Sequence, residues 1–111
     1  MRRVVIESPY AGDVDRNVAY ARAAMRDSLA RGECPFLSHL LYTQVLDDED
    51  AGERLAGMIA GVSWMSVAEA VVVYEDLGVS RGMSEGIKSA LNMKLPVEYR
   101  RIGWAPEASA P

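Results

Sequence analysis

One stretch constrains the fold more than any other. Ala70-Val71-Val72-Val73-Tyr74 is a short apolar block rich in β-branched residues, the pattern of a strand buried on both faces. It passes through Asp76-Leu77-Gly78-Val79-Ser80-Arg81-Gly82 into Met83, Ile87, Ala90 and Leu91, which recur at helical spacing. A strand that runs through a Gly/Ser turn into a helix also makes a seat for an anion. The first amides of the helix have no intrahelical partner, and the helix dipole adds partial positive charge there. Ser80 is placed either to cap that helix or to hydrogen-bond a ligand, and Gly82 lets a ligand approach the backbone closely.

The rest of the chain repeats the alternation. Arg3-Val4-Val5-Ile6-Glu7 predicts a first strand, ended by Ser8-Pro9. The turn Pro9-Tyr10-Ala11-Gly12-Asp13 follows, with Asp13 as helix N-cap. Val14, Val18, Ala21, Met25 and Leu29 then give one apolar helical stripe, and Gly32 is the expected stop. Cys34-Pro35-Phe36-Leu37 predicts a short second strand that Pro35 confines to an edge or makes irregular. Ser38 to Asp50 reads as a long connection carrying His39, Tyr42 and an acidic cluster. Leu55, Met58, Ile59 and Val62 mark the next helix, capped by one of Asp47, Asp48 or Asp50, with Trp64 and Met65 continuing it toward Glu69. Leu95 to Arg100 predicts a fourth strand, and Ala105 to Pro111 has the composition of a flexible tail after a single domain spanning 1–104.

Strands alternating with amphipathic helices imply βαβ units. The expected architecture is a small doubly wound α/β fold, Rossmann- or flavodoxin-like, with a parallel sheet of about four to five strands covered by helices on both faces. Ligands of such folds sit beyond the C-terminal ends of the strands, near a switch in strand order. The loops Ser8 to Asp13, Ser38-His39 and Tyr74 to Met83 are expected to converge on that rim.

Composition narrows the ligand. The chain has 111 residues and a net charge of -4, which disfavours a nonspecific grip on a nucleic-acid polymer or an anionic membrane. One phosphate group, in contrast, needs only a local nest of donors. The single cysteine, Cys34, excludes an internal disulfide and reads as a small core residue in a reducing compartment. No apolar run reaches the length of a membrane span, and Met1-Arg2-Arg3 leads straight into a strand, so a cytoplasmic protein without a signal peptide is expected. Gly78, Gly82 and Gly86 are spaced by four and do not form a dinucleotide fingerprint, so no cofactor is expected. His39 has no Cys or carboxylate at metal-ligand spacing, and the acidic cluster lacks the spacing of a calcium loop, so no metal is expected either.

Individual residues keep two readings. Tyr10 either stacks on a base or donates to a phosphate, or else stiffens its turn. Arg16 near a helix start opposes the dipole, which calls for an acidic partner: Asp13 or Asp15, or a ligand phosphate. His39 makes either a ligand contact or a structural hydrogen bond. Trp64, Met58 and Met65 serve a pocket, an interface or the core.

Taken in order, Ser8-Pro9-Tyr10-Ala11-Gly12-Asp13, Asp15-Arg16-Asn17, Leu46-Asp47-Asp48, Glu53-Arg54, Ser80-Arg81-Gly82-Met83 and Pro96-Val97-Glu98-Tyr99-Arg100 resemble small bacterial and phage proteins of the nucleoside 2-deoxyribosyltransferase-like superfamily. The resemblance runs from Arg3 to about Ile102. It implies a nucleotide-like ligand, cleavage of the bond between base and deoxyribose by transfer or hydrolysis, and a homodimer or larger homo-oligomer. It assigns Ser80, Arg81, Gly82 and Met83 to a phosphate or sugar hydroxyl, and Ser8, Tyr10, Gly12, Arg16 and His39 to the opposite wall.

N-glycosidic cleavage builds positive charge on the sugar, so one carboxylate faces the anomeric carbon while a second acidic group protonates the base. In the superfamily the first is the Glu of a Ser-x-Gly-x-x-x-Glu motif. Here Ser80 and Gly82 match, but the Glu position falls on Gly86, and Glu85 lies about 100° round the helix from it. The superfamily's acid falls near Gly61 or Ser63. Asp76 and Glu85 are therefore the candidate catalytic carboxylates, with Glu75 beside them. The alternatives to an enzyme are a non-catalytic nucleotide sensor or sequestering protein, or an oligomeric interaction protein.

Overall fold

In the computed structural model, which describes residues 1–106, the apolar blocks become the strands of one parallel sheet. Most of the expected tail at 105–111 lies outside the described residues. The elements are β1 (Arg2–Glu7), α1 (Val14–Ala30), β2 (Glu33–Phe36), α2 (Ser38–Leu41), α3 (Ala51–Trp64), β3 (Ala70–Tyr74), α4 (Arg81–Asn92) and β4 (Val97–Arg100). The sheet order is β2-β1-β3-β4, with Val5 opposite Phe36 on one side and Val71 on the other, and Val71 in turn opposite Val97. This is the small doubly wound α/β fold that the alternating pattern predicts. Among the described residues no helix is long and apolar enough to cross a membrane.

The period-two alternation of strand side chains sorts the core into two layers. Val4, Ile6, Val72 and Tyr74 face Tyr20, Ala21 and Ala24 of α1, together with Leu37. Val5 and Val71 face the other way, onto Met65 and onto Ala90 of α4. Central β3 is buried along its whole length, as its unbroken apolar sequence requires. Pro35 lies in the edge strand β2, where its missing N–H costs no ladder bond on the open side.

The helix starts follow their caps. Asp13 accepts the Arg16 amide at 3.2 Å, Asp50 that of Glu53 at 2.9 Å, and Ser80 that of Met83 at 3.3 Å. Asp50 is thus the cap among the three aspartates considered for α3.

Three expectations change. The buried face of α1 is Asn17, Tyr20, Ala21, Ala24 and Ser28, while Val14 and Leu29 of the expected stripe are exposed. Small alanines bring the helix close to the sheet, and the two polar residues are satisfied internally, so this face outcompetes the more apolar one. Cys34 is exposed on the edge strand instead of buried in the core. The connection from Ser38 is not plain loop, since it contains α2 and a 3-10 turn at Tyr42–Gln44. A Cβ on Gly61 would lie 2.8 Å from Ser38 Cβ and Oγ, so the bare glycine is what lets α2 close on α3.

Candidate functional site

Between β1 and β3 the strand order switches, and there the C-terminal strand ends diverge to leave an open cleft of about 190 Å³. Glu7 and Ser8 form its floor at the end of β1, and Tyr10 and Ala11 continue that wall through the first turn. Ser38 and His39 of α2 enter from one side, with Asp48, Arg54 and Met58 beyond them. Ser80, Arg81, Gly82 and Met83 close the cleft with the start of α4. Smaller cavities of about 90 and 130 Å³ adjoin it, and both share Ser38 and Met58 with the cleft.

The α4 wall is built for an anion. Ser80 Oγ takes the Met83 amide, so the earlier amides of the first turn stay unpaired by the helix. A Cβ on Gly82 would meet nothing within 4 Å, which leaves the backbone open to approach. Arg54 and Arg81 stand on the same walls, and neither is ion-paired to a described residue. Met83 is buried at the back, and its sulfur accepts the Ser80 amide at 3.3 Å.

On the opposite wall, Ser8 Oγ and His39 Nε2 share a hydrogen bond of 2.6 Å. Burial pushes the His39 pKa down to about 4, so the imidazole is neutral at pH 7. Glu7 is in the reverse situation. Its carboxyl group meets no donor among the described residues, and burial pushes its pKa up to about 8. A Cβ built on Gly86 would lie 2.5 Å from Glu7 Cδ and 2.7 Å from its Oε1, with Oε2 closer still. The Glu7 carboxyl therefore occupies the space that a side chain at position 86 would fill.

Of the residues singled out in the sequence, Ser8, Tyr10, His39, Ser80, Arg81, Gly82 and Met83 line this cleft together. Gly12 and Arg16 do not. Gly12 lies on the outer turn in open space, and Arg16 is exposed with its guanidinium near Asn17 Oδ1 at 3.3 Å, not on Asp13 or Asp15. It is Asn17 that shapes the first loop, donating through Nδ2 to the carbonyls of Tyr10 (2.9 Å) and Ala11 (3.1 Å). Asp76 lies off the cleft, its carboxylate taken up by Tyr20 and by the amides of Ile102, Gly103 and Trp104. Glu75 is near Arg101, at 3.4 Å. Glu85 is exposed and lines a neighbouring opening with Arg54, Arg81 and Gly82.

Glu7, Asp48 and Arg54 are wall residues to which the sequence reading gave no ligand role, while Ser38 lies where its loop was expected, on the rim. For Glu7 the signal was an acid as the last residue of a strand whose end belongs to the rim. Among the described residues no three His, Cys, Asp or Glu side chains converge to hold a metal ion.

A family model described as a domain of unknown function, DUF7768, matches residues 2–100. The chain belongs to that family. No protein of curated function matches this DUF7768 domain. Among solved structures it is similar to a 2-deoxyribosyltransferase from the psychrotolerant bacterium Bacillus psychrosaccharolyticus, with a TM-score of 0.71 and 11% identity. The superposition covers 93% of this chain and 75% of the other. At that identity the likeness establishes a shared fold, and it agrees with the superfamily resemblance of the sequence at that level.

Proposed function

We propose that this domain binds a nucleoside or nucleotide in the cleft at the β1/β3 switch and that its chemistry is transfer or hydrolysis at the N-glycosidic bond. One observation carries the reading. The cleft joins an open helix N-terminus, flanked by two arginines that are unpaired among the described residues, to a wall bearing an aromatic ring. Such a site suits a ligand with an anion at one end and a flat ring at the other.

Ser80, Arg81 and Gly82, assisted by Arg54, would take the phosphate or a sugar hydroxyl. Tyr10 would stack on the base, Ser8 and His39 would hold a sugar hydroxyl, and Met83 would form the apolar back wall. Gly12 and Arg16, next along the outer turn, would close over the bound ligand once the Arg16 guanidinium leaves Asn17. A homodimer or larger assembly belongs to the same reading. Helix α3 exposes Leu55 and Ile59 immediately beside Met58 of the cleft wall, and a second copy would cover them.

The test is a panel of nucleosides and mono-, di- and cyclic nucleotides, with thermal shift for binding and chromatography for released base. Binding with release of base is the expected result. Binding without release would favour the sensor or sequestering reading, for which the bare glycines at positions 61 and 86 speak. No binding across the panel would overturn the proposal.

A further inference from the structure

We propose that Glu7 is the catalytic acid of the cleft, giving its proton to the departing base of a bound nucleoside or nucleotide and then facing the sugar cation as a carboxylate. This rests on the nucleotide reading of the cleft.

Position is the first argument. Glu7 ends β1 and lines both the main cleft and the adjoining cavity that runs under the start of α4. It therefore stands between the anion seat and the His39 wall, where the middle of an elongated ligand would lie.

Availability is the second. Of the other acids at this end of the sheet, Asp76 accepts from four donors, Glu75 is near Arg101, Glu85 is exposed, and Asp48 stands on the wall before α3. Glu7 has no donor among the described residues, and a half-buried carboxyl without one adds no stability of its own. A fold keeps a group of that kind where it has work to do, and perturbed carboxyls in clefts mark functional sites.

Gly86 supplies the third. A Cβ there would collide with the Glu7 carboxyl, so the bare glycine and the acid are one arrangement: the helix gives up its side chain and the strand projects a carboxyl into the vacated space. Glu85, next to Gly86 in sequence, is exposed and lines the adjoining cavity with Glu7, but it is not on the wall of the main cleft.

Protonation state agrees with the geometry. Burial holds the carboxyl largely protonated at pH 7, the starting state of a general acid. The charged and titratable groups around it are His39 from α2, Asp48 before α3, Arg54 of α3, and Arg81 and Glu85 of α4. His39 is neutral there, so it does not compete as the acid.

The step balances. The bond from the anomeric carbon to the base nitrogen breaks, and its electron pair stays with the base, which takes the Glu7 proton. Water adds its oxygen to the sugar cation and returns a proton to the Glu7 carboxylate. When a second base replaces water, its N–H proton returns to Glu7 and the outcome is transfer.

The experiment compares the wild type with Glu7→Gln, and with the double exchange Glu7→Gly with Gly86→Glu. The probes are 2′-deoxyguanosine 5′-monophosphate and thymidine 5′-monophosphate, with binding by thermal shift and base release by chromatography. Glu7→Gln keeps the shape of the side chain, so binding persists while base release falls about 100-fold or more. The double exchange returns a carboxyl to the same space from the helix side and recovers part of that loss. Undiminished base release by Glu7→Gln, or binding by the wild type with no base released, would overturn the role of Glu7 alone. Failure of the wild type to bind either probe would instead overturn the cleft reading, and the role of Glu7 with it.

Discussion

Tyr20 and Asp76 hold each other twice. The phenol O–H donates to Asp76 Oδ1 at 2.6 Å, and the phenol oxygen accepts the Asp76 backbone N–H at 2.8 Å. Asp76 also accepts the amides of Ile102, Gly103 and Trp104, while the Tyr20 ring packs on Trp104 at 5.2 Å. Helix α1, the end of β3 and the segment after β4 thus meet at one pair. Burial would raise the Asp76 pKa, but the hydrogen bond from Tyr20 and those from the backbone outweigh it and hold the carboxylate below its ordinary range. Tyr20→Phe strands the Asp76 amide and one carboxylate position in a half-buried setting. A loss of about 1–3 kcal/mol is expected, read by urea denaturation. An unchanged midpoint would show that the pair is incidental.

A second polar cluster ties the two edge strands. Glu33 accepts Ser28 Oγ at 2.8 Å, two guanidinium nitrogens of Arg100 at 2.8 and 2.7 Å, and Arg2 Nη2 at 2.7 Å. Arg100 is the main cause of a Glu33 pKa drawn from 4.5 down to about 2, against the opposing effect of burial. With the folded pKa depressed, this contribution is fully present above pH 4.5 and is lost as the pH falls toward 2. Glu33→Ala leaves the Arg100 side chain, only 9% exposed, without its bidentate partner, and is expected to cost about 3–5 kcal/mol. A stability-versus-pH curve for Glu33→Gln should lose much of the acid limb, and an acid limb identical to that of the wild type would refute the assignment.

What the sequence made legible was local. The β-branched block at 70–74, the Ser80 cap, the Asp13 cap and the edge placement of Pro35 each follow from side chains acting within a few residues of themselves. The misread features depend on partners far along the chain. Asn17 and Ser28 are buried because Tyr10, Ala11 and Glu33 satisfy them, and no periodicity of apolar residues reports that. Asp76 reads as a free rim acid until residues 102–104 arrive at it. Glu7 reads as the polar end of a strand until the sheet order brings Gly86 against it.

Two half-buried groups of opposite habit give stability an unusual pH profile. Glu7 titrates near 8 folded against an ordinary 4.5, so between those values the native state binds more protons and stability falls as pH rises. His39 titrates near 4 folded against 6.5, so between those values stability rises with pH. The two slopes oppose each other from pH 4.5 to 6.5, leaving Glu7 alone to act from 6.5 to 8. The melting temperature should decline across that upper window in the wild type and stay level in Glu7→Gln. A decline of equal size in both proteins would mean that another group titrates there.

The cleft arginines, Arg81 of α4 and Arg54 of α3, should distinguish phosphate from sugar. Both are exposed, so their attraction to a phosphate is screened by salt and modest in size. Arg81→Ala and Arg54→Ala are each expected to weaken a nucleoside monophosphate by about tenfold, equivalent to about 1.4 kcal/mol, at low ionic strength. The matching nucleoside should be little affected. Titration calorimetry at two salt concentrations checks this, and equal weakening of nucleoside and monophosphate would place the phosphate elsewhere.

Gly86 offers a direct measure of what fills the space beside it. In an open helix interior, Gly→Ala is stabilising by about 1 kcal/mol through helix propensity and the entropy of the unfolded chain. Here the new methyl meets the Glu7 carboxyl, the far end of a flexible side chain, which must swing away. The two effects oppose each other, so Gly86→Ala alone should leave stability nearly unchanged while moving the carboxyl and lowering base release. In a Glu7→Ala background the obstacle is gone, and the same substitution should recover its full gain of about 1 kcal/mol. The difference between the two backgrounds is the coupling energy of the pair, obtained from a double-mutant cycle by chemical denaturation. Equal effects of Gly86→Ala in both backgrounds would mean that Glu7 does not occupy the space beside the helix.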